Sequence, residues 1–178
     1  MFVNNTLYAD ILLPLPLPGT FTYAIPPEFV EETEIGKRVV VQFGNTKLYT
    51  GLIKNIYKEN LKDYVCKPIL SVLDAFAVVN SKQFELWEWM ANYYMCTQGE
   101  IMNAALPAAL KLASETNILL NPSFDGNYEL LNDKEFLITQ AVEKQKRISI
   151  KDVSKIIGNQ KVISLIKNLI EKGVVLPE

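Results

Sequence analysis

This sequence contains no histidine and only 2 cysteines among its 178 residues. Histidine is the side chain most often used as a general base, and zinc sites are built mainly from histidine and cysteine. The sequence also has no serine in a nucleophile elbow and no pair of carboxylates at a catalytic spacing. We therefore expect no catalytic site and no metal site, and we look for binding instead.

Long apolar runs are also absent. No stretch approaches the ~18 apolar residues of a membrane span. Residues 1–5 lack the basic and apolar segments of a secretion signal. The glycines around Gly36 and Gly44 do not have the spacing of a phosphate-binding loop. We expect a cytoplasmic protein with no membrane partner, which by itself hydrolyses no ATP and needs no cofactor.

Positive and negative charges nearly balance overall but are unevenly distributed along the chain. The net charge is −2; residues 1–110 carry 8 basic and 11 acidic side chains, and residues 111–178 carry 10 and 9. Within residues 133–172 the count is 9 basic to 5 acidic. This balance argues against a protein that binds nucleic acid over its whole surface, but it is compatible with a local basic surface.

A proline alternation is the most unusual feature that is present. Pro14, Pro16 and Pro18 alternate with leucines and are followed by Phe21 and Thr22. Each proline restricts φ and lacks an N–H donor, so the segment is stiff and cannot pair in the middle of a sheet. We expect it to form a rigid rim that holds Phe21 and Thr22 at a sheet edge. The alternative is a surface linker, or a polyproline II peptide that docks elsewhere.

The first 74 residues read as short strands separated by turn signals, a spacing typical of a small β-barrel. Gly44 fits a hairpin turn, and a glycine beside a pocket also lets a ligand approach the backbone closely. Asn80 is a helix cap, and the aromatic stripe that follows is predicted to be core, with a break at Gly99. The predicted strands are 7–13, 20–25, 38–43, 48–57 and 65–73.

The last third changes character after a loose, turn-rich stretch. We place the domain boundary there, which gives domains 1–110 and 111–178. Asn132 and Ser149 each precede a helix start, and residues 160–172 form a clean amphipathic helix that ends at Gly173. This order predicts a winged-helix module, so the fold class is α+β: an N-terminal β-barrel with flanking helices, then a winged helix.

Two surfaces are predicted to bind. The amphipathic helix places Lys161, Lys167 and Lys172 where they can contact phosphates, although any solvated helix face carries lysines. At the barrel edge, Phe21 can stack on a nucleotide base beside Gly44. One stacking contact contributes about 1–3 kcal/mol, which places a strand end but does not hold a duplex.

Four segments in order resemble a known family. Residues 15–23, 36–44, 67–74 and 89–94 are similar to the N-terminal region of the PriA replication-restart helicases, also called primosomal protein N′. The resemblance covers most of residues 7–107, and residues 111–178 occupy the place of the winged helix in that family.

The resemblance implies a bacterial DNA-binding fragment that recognises stalled replication forks and the 3′ end of the nascent leading strand. Its partners would be forked DNA, single-strand 3′ ends, other primosome proteins and single-stranded DNA-binding protein. The full-length relative is an ATP-dependent helicase, with ATP, magnesium and zinc bound by downstream parts that have no counterpart here. We therefore expect a monomeric, non-enzymatic N-terminal fragment with no cofactor of its own.

The resemblance also assigns a 3′-end pocket to Phe21, Thr22, Gly44 and Lys67. Thr22 stands where the family commonly has aspartate, and its hydroxyl can accept a hydrogen bond but carries no charge. Two alternative functions remain: a winged-helix transcription regulator with an N-terminal effector barrel, and a protein–protein adaptor.

Overall fold

The computed structural model of the protein describes residues 7–45, 47–58, 66–157 and 162–178. Internal contacts divide the chain into two compact units, Met1–Pro107 and Ala108–Glu178, here called the N-terminal and C-terminal units. Each unit combines helices and strands, which confirms the predicted α+β class. The N-terminal unit contains β1 (Leu7–Leu12), β2 (Phe21–Ala24), β3 (Arg38–Phe43), β4 (Lys47–Lys58), β5 (Ile69–Val72), α1 (Ser81–Tyr94) and α2 (Gln98–Ala105).

The five strands of the N-terminal unit form one curled antiparallel sheet in the order β2-β1-β4-β3-β5. The two edges of this sheet lie close together. The Ala24 N–H donates a hydrogen bond to the Lys67 carbonyl at 3.0 Å, and Ala24 forms a parallel bridge with Pro68. The Tyr23 hydroxyl adds a bond to the Gln42 carbonyl at 3.2 Å. The predicted barrel is therefore a half-barrel, curled far enough to bring β2 beside the segment before β5.

Strand alternation divides the apolar residues of the sheet between two clusters. Ala9 and Ile11 face the inside of the curl, whereas Leu12 and Leu52 face α1 and α2 on the other side. The inner cluster also contains Leu13, Tyr23, Ile25, Val39, Val41, Ile53 and Ile69. The outer cluster contains Val79, Phe84, Trp87, Ala91, Ile101 and Met102.

The helices confirm one predicted boundary, correct another, and correct in part the prediction that the aromatic stripe is core. Asn80 caps α1, where its side chain accepts the Gln83 N–H at 3.0 Å. The chain breaks at Met95, whose φ is +53°, and Gly99 lies inside α2 instead of interrupting the helix. The aromatic stripe is only partly core, because Tyr93 and Tyr94 are 65% and 62% exposed.

The proline run packs into the N-terminal unit. Leu13 is buried, and the N–H groups of Leu15 and Leu17 donate to the carbonyls of Leu13 and Leu15, both at 2.8 Å. Such bonds between residues two apart are those of γ-turns. A Cβ atom on Gly99 would lie 2.1 Å from the Leu15 carbonyl oxygen, so α2 approaches this run directly. The start of the run is therefore part of the folded unit and not a linker, whereas Pro16, Leu17 and Pro18 are exposed.

The C-terminal unit has a three-stranded antiparallel sheet in the order β7 (Ile148–Ser149), β6 (Asn117–Leu120) and β8 (Val175–Pro177), and three helices cover it. Asn132 precedes a helix as predicted, and it forms a capping box with Glu135, in which the Asn132 Oδ1 accepts the Glu135 N–H at 3.0 Å. The start of the predicted helix 160–172 lies outside the described residues. The elements are β6 (Asn117–Leu120), α3 (Asp133–Gln145), β7 (Ile148–Ser149), α4 (Ile150–Ile157), α5 (Val162–Glu171) and β8 (Val175–Pro177).

The amphipathic character of α5 is as predicted. Val162, Ile163, Ile166 and Leu169 are fully buried, and Gly173 ends the helix with φ +70°. In the part of the chain that the structure describes, no helix is long and apolar enough to cross a membrane.

Candidate nucleic-acid site

A cavity of about 540 Å³ lies at the β2 edge of the half-barrel. All four residues assigned to the 3′-end pocket line it, and they come from three separate segments: β2, the β3–β4 turn and the chain before β5. The volume falls within the roughly 300–1,000 Å³ of ordinary small-molecule sites. The described lining residues are Thr20, Phe21, Thr22, Tyr23, Gln42, Phe43, Gly44 and Lys67.

Phe21 is held by other aromatic rings. Its ring meets that of Phe43 edge to face, with 4.8 Å between centroids and an interplanar angle of 68°. Phe43 in turn meets Tyr49 at 6.2 Å and 80°. Phe21 is also half-buried against the inner cluster. Because these contacts restrict the ring before any ligand arrives, stacking on it requires little further ordering.

Gly44 serves both as a turn residue and as part of the cavity wall. Its φ of +66° is unfavourable for other residues, although a Cβ atom there would meet no other atom within 4 Å. The Lys67 ammonium donates a hydrogen bond to the Gly44 carbonyl. An ammonium has three N–H donors, so this bond uses one and holds the lysine at the cavity.

Thr22 belongs to a small hydrogen-bond network, here called the Asp10 network and made of Asp10, Thr22 and Tyr57. The Thr22 hydroxyl donates to the Asp10 Oδ1 at 3.0 Å, and the Tyr57 hydroxyl donates to the same oxygen at 3.2 Å. The two hydroxyl oxygens are 3.3 Å apart. A carboxylate therefore does lie next to Thr22, but it comes from the neighbouring strand.

The charge of the cavity comes from Lys67 among the described lining residues. The adjacent Cys66 thiol is half-buried, and loss of water around it raises the pKa of that thiol. A thiol with a raised pKa stays neutral near pH 7, so Cys66 does not offset the lysine. The cavity thus combines aromatic rings, threonine hydroxyls and, among its described lining residues, one positive charge.

The lysines predicted to contact phosphates belong to the C-terminal unit, and the structure shows two of them engaged. Lys161 lies outside the described residues. The Lys167 side chain is only 20% exposed and pairs with Glu171 at 3.4 Å. Lys172 donates to the Glu135 carboxylate at 2.6 Å and to the Leu130 carbonyl at 2.8 Å. Contact of Lys161 and Lys167 with DNA stays a prediction.

Sequence reasoning missed Asp10, Tyr57 and Phe43. Asp10 carried a weak signal, since it is a charged residue in an otherwise apolar strand flanked by Ala9 and Ile11. Its role depends on the pairing of β1 with β2, in which Asp10 lies directly opposite Thr22. Such a register is a property of the assembled sheet.

Comparison with family models gives two matches. Residues 10–107 match the model described as 3′DNA-binding domain (3′BD), and residues 115–176 match the model described as winged helix domain. The first match covers more than half of the chain and contains every lining residue of the cavity. The second confirms the predicted winged helix.

Curated relatives carry the name replication restart protein PriA. The protein from Rickettsia conorii is 28% identical over 177 residues, which cover 96% of this chain and 26% of that protein. The proteins from Haemophilus influenzae and Synechocystis are 31% and 32% identical over 57% and 64% of this chain. This chain spans only 14% to 26% of the length of these relatives.

Proposed function

This chain belongs to the 3′ DNA-binding domain (3′BD) family of the PriA proteins, and from that premise we propose that its cavity binds the free 3′ end of a DNA strand. One observation supports this most strongly. Phe21, Thr22, Gly44 and Lys67 come together around a single cavity although they lie in separate parts of the sequence. The half-barrel is then the DNA-binding part of a replication restart protein.

Each side chain has a chemical role in this proposal. The terminal base stacks on Phe21, which contributes about 1–3 kcal/mol. Lys67 neutralises one backbone phosphate, and the open backbone at Gly44 allows the sugar to approach closely. Thr22 bonds the terminal 3′-hydroxyl. These contacts suit one nucleotide at a strand end, because a cavity of about 540 Å³ has the size of an ordinary small-molecule site.

The wider proposals follow from the relatives and concern the longer protein. That protein would recognise stalled forks and restart replication with primosome proteins and single-stranded DNA-binding protein as partners. It would act in the bacterial cytoplasm as an ATP-dependent helicase, with ATP, magnesium and zinc bound by its other parts. Within it, we propose that this chain is a monomeric DNA-binding region without catalysis or cofactor, and that Lys161 and Lys167 contact the fork backbone.

The direct test compares two chemical forms of one strand end. A fluorescently labelled fork is titrated with this chain, once with a free 3′-hydroxyl and once with a 3′-phosphate. The free end should bind about tenfold more tightly, which corresponds to about 1.4 kcal/mol. Equal affinities for the two ends would contradict the proposed function.

A salt titration separates the alternative functions. Binding to a single strand should weaken with salt, with a slope of about −0.7 for each phosphate contacted, whereas an adaptor with apolar contacts would show little dependence. A transcription regulator would instead select one duplex sequence by several orders of magnitude. Affinity that is independent of duplex sequence and weakened by salt would exclude both alternatives.

A further inference from the structure

The Asp10 network lies on the outer face of the sheet, beside the cavity. Ala9 and Ile11 point into the inner cluster, so Asp10 between them points to the opposite face. Thr22 is directly opposite Asp10 on β2, and Tyr57 comes from β4 on the other side of β1. The same Thr22 lines the cavity, so the Asp10 carboxylate is hydrogen-bonded to a residue of the cavity wall.

Hydrogen-bond chemistry determines what Thr22 offers to a ligand. An ionised carboxylate only accepts hydrogen bonds, so both hydroxyls near Asp10 must donate to it. The Thr22 hydroxyl has one proton, and the 3.0 Å bond to Asp10 Oδ1 uses it. With its proton committed to Asp10, the Thr22 hydroxyl can bond a ligand in the cavity only through its remaining lone pairs, as an acceptor.

We propose that Asp10 is a positioning residue for 3′-end recognition: it holds Thr22 as an acceptor, so that the cavity selects a terminal group that donates a hydrogen bond. A 3′-hydroxyl is such a donor. A 3′-hydrogen offers no donor, and a 3′-phosphate brings up to two negative charges toward the Asp10 carboxylate. This inference rests on the proposed function and deepens it by naming the residue that determines end selectivity.

The experiment uses one oligonucleotide with three ends: 3′-hydroxyl, 3′-hydrogen and 3′-phosphate. In the unchanged protein the hydroxyl end should bind most tightly. The nearly isosteric D10N change removes the charge and can place an amide N–H donor against the Thr22 oxygen, which releases the Thr22 proton, so the preference for hydroxyl over phosphate should fall by about tenfold. D10S is a second neutral variant and should show the same fall.

Two further variants test the route through Thr22. T22V should abolish the preference for hydroxyl over hydrogen, and T22S should retain it because the hydroxyl is kept. Matched controls lie elsewhere in the N-terminal unit: E85Q removes one exposed negative charge, and T33V removes one hydroxyl. Both controls should leave all three affinities within about twofold of the unchanged protein. Unchanged tryptophan fluorescence shows that each variant is folded.

The outcomes distinguish this inference from the proposed function. If the unchanged protein binds the hydroxyl and phosphate ends equally, the proposed function fails and this inference fails with it. If it discriminates but D10N and D10S, both folded, keep the full preference, only the role of Asp10 is overturned. If T22S loses the preference for 3′-hydroxyl over 3′-hydrogen as fully as T22V does, the Thr22 hydroxyl is not the group that selects the end.

Discussion

The two units of this protein place their predicted binding residues in opposite ways. In the N-terminal unit, long-range strand pairing gathers Phe21, Thr22, Gly44 and Lys67 around one cavity. In the C-terminal unit, Lys167 lies on a single helix and its charge is partly satisfied by Glu171 one turn away. The first arrangement is a pocket assembled from separate segments of the chain. The second is the polar face of one helix, where the lysine already pairs with a neighbouring glutamate.

The difference also appears in how each unit accommodates a buried carboxylate. Asp74 accepts hydrogen bonds from the Arg38 backbone N–H at 3.0 Å and from its Nε at 2.8 Å, and both side chains are at least 90% buried. Glu135 is 1% exposed but pairs with Lys172, which is 35% exposed. In the described residues, the Glu135 Oε1 has no hydrogen-bond partner. The sheet thus encloses its ion pair more fully than the helical unit does.

The largest expected effect is on the stability of the N-terminal unit. D74A leaves the Arg38 guanidinium buried without its carboxylate, which typically costs about 3–5 kcal/mol. Both tryptophans, Trp87 and Trp89, lie in this unit, so tryptophan fluorescence during urea unfolding reports on it alone. E88Q, at an exposed glutamate of α1, is the matched control and should cost little. If D74A lowers the free energy of unfolding as little as E88Q does, the Arg38–Asp74 ion pair does not stabilise the unit as predicted.

The next effect concerns stacking in the cavity. F21A should weaken binding of a free 3′ end by about 5- to 150-fold, because one base stack contributes about 1–3 kcal/mol. F76A provides the control, since Phe76 is 83% exposed and lies outside the cavity. Fluorescence anisotropy with a labelled fork measures both. If F21A and F76A bind the free 3′ end with equal affinity, the Phe21 ring does not stack on the terminal base.

A smaller effect is expected from the single charge of the cavity. K67M should lower affinity by about fivefold at low salt and make the salt slope shallower by about 0.7, the value for one phosphate on a single strand. K82M removes an exposed lysine that pairs with Glu85 on α1 and serves as the control. If K67M leaves the slope of log affinity against log salt unchanged, Lys67 does not contact phosphate.

The smallest effect is expected in the C-terminal unit. K167M should weaken fork binding by about twofold. Because Lys167 is only partly exposed and already pairs with Glu171, its contact with a phosphate adds little to the binding free energy. The same anisotropy titration measures it beside F21A. If K167M loses as much fork affinity as F21A, the winged helix contributes as much to DNA binding as the cavity of the N-terminal unit does.

Local patterns were sufficient for most of the secondary structure. The helix caps at Asn80 and Asn132 and the full extent of β3, Arg38–Phe43, were predicted correctly because they depend on neighbours a few residues apart. The break after α1 was misplaced at Gly99. It occurs at Met95 in a left-handed conformation that glycine usually adopts, so composition gave no sign of it.

The sequence by itself determined most of the strands and helices and, through a family resemblance, four residues that share one cavity. Only the tertiary structure decided that Asp10 lies opposite Thr22, that Phe43 supports Phe21, and that Tyr93 and Tyr94 stay exposed. The physical reason is the range of the interactions. Helix caps and strand alternation are set within a few residues, whereas strand register and helix packing are set by contacts between segments far apart in the chain.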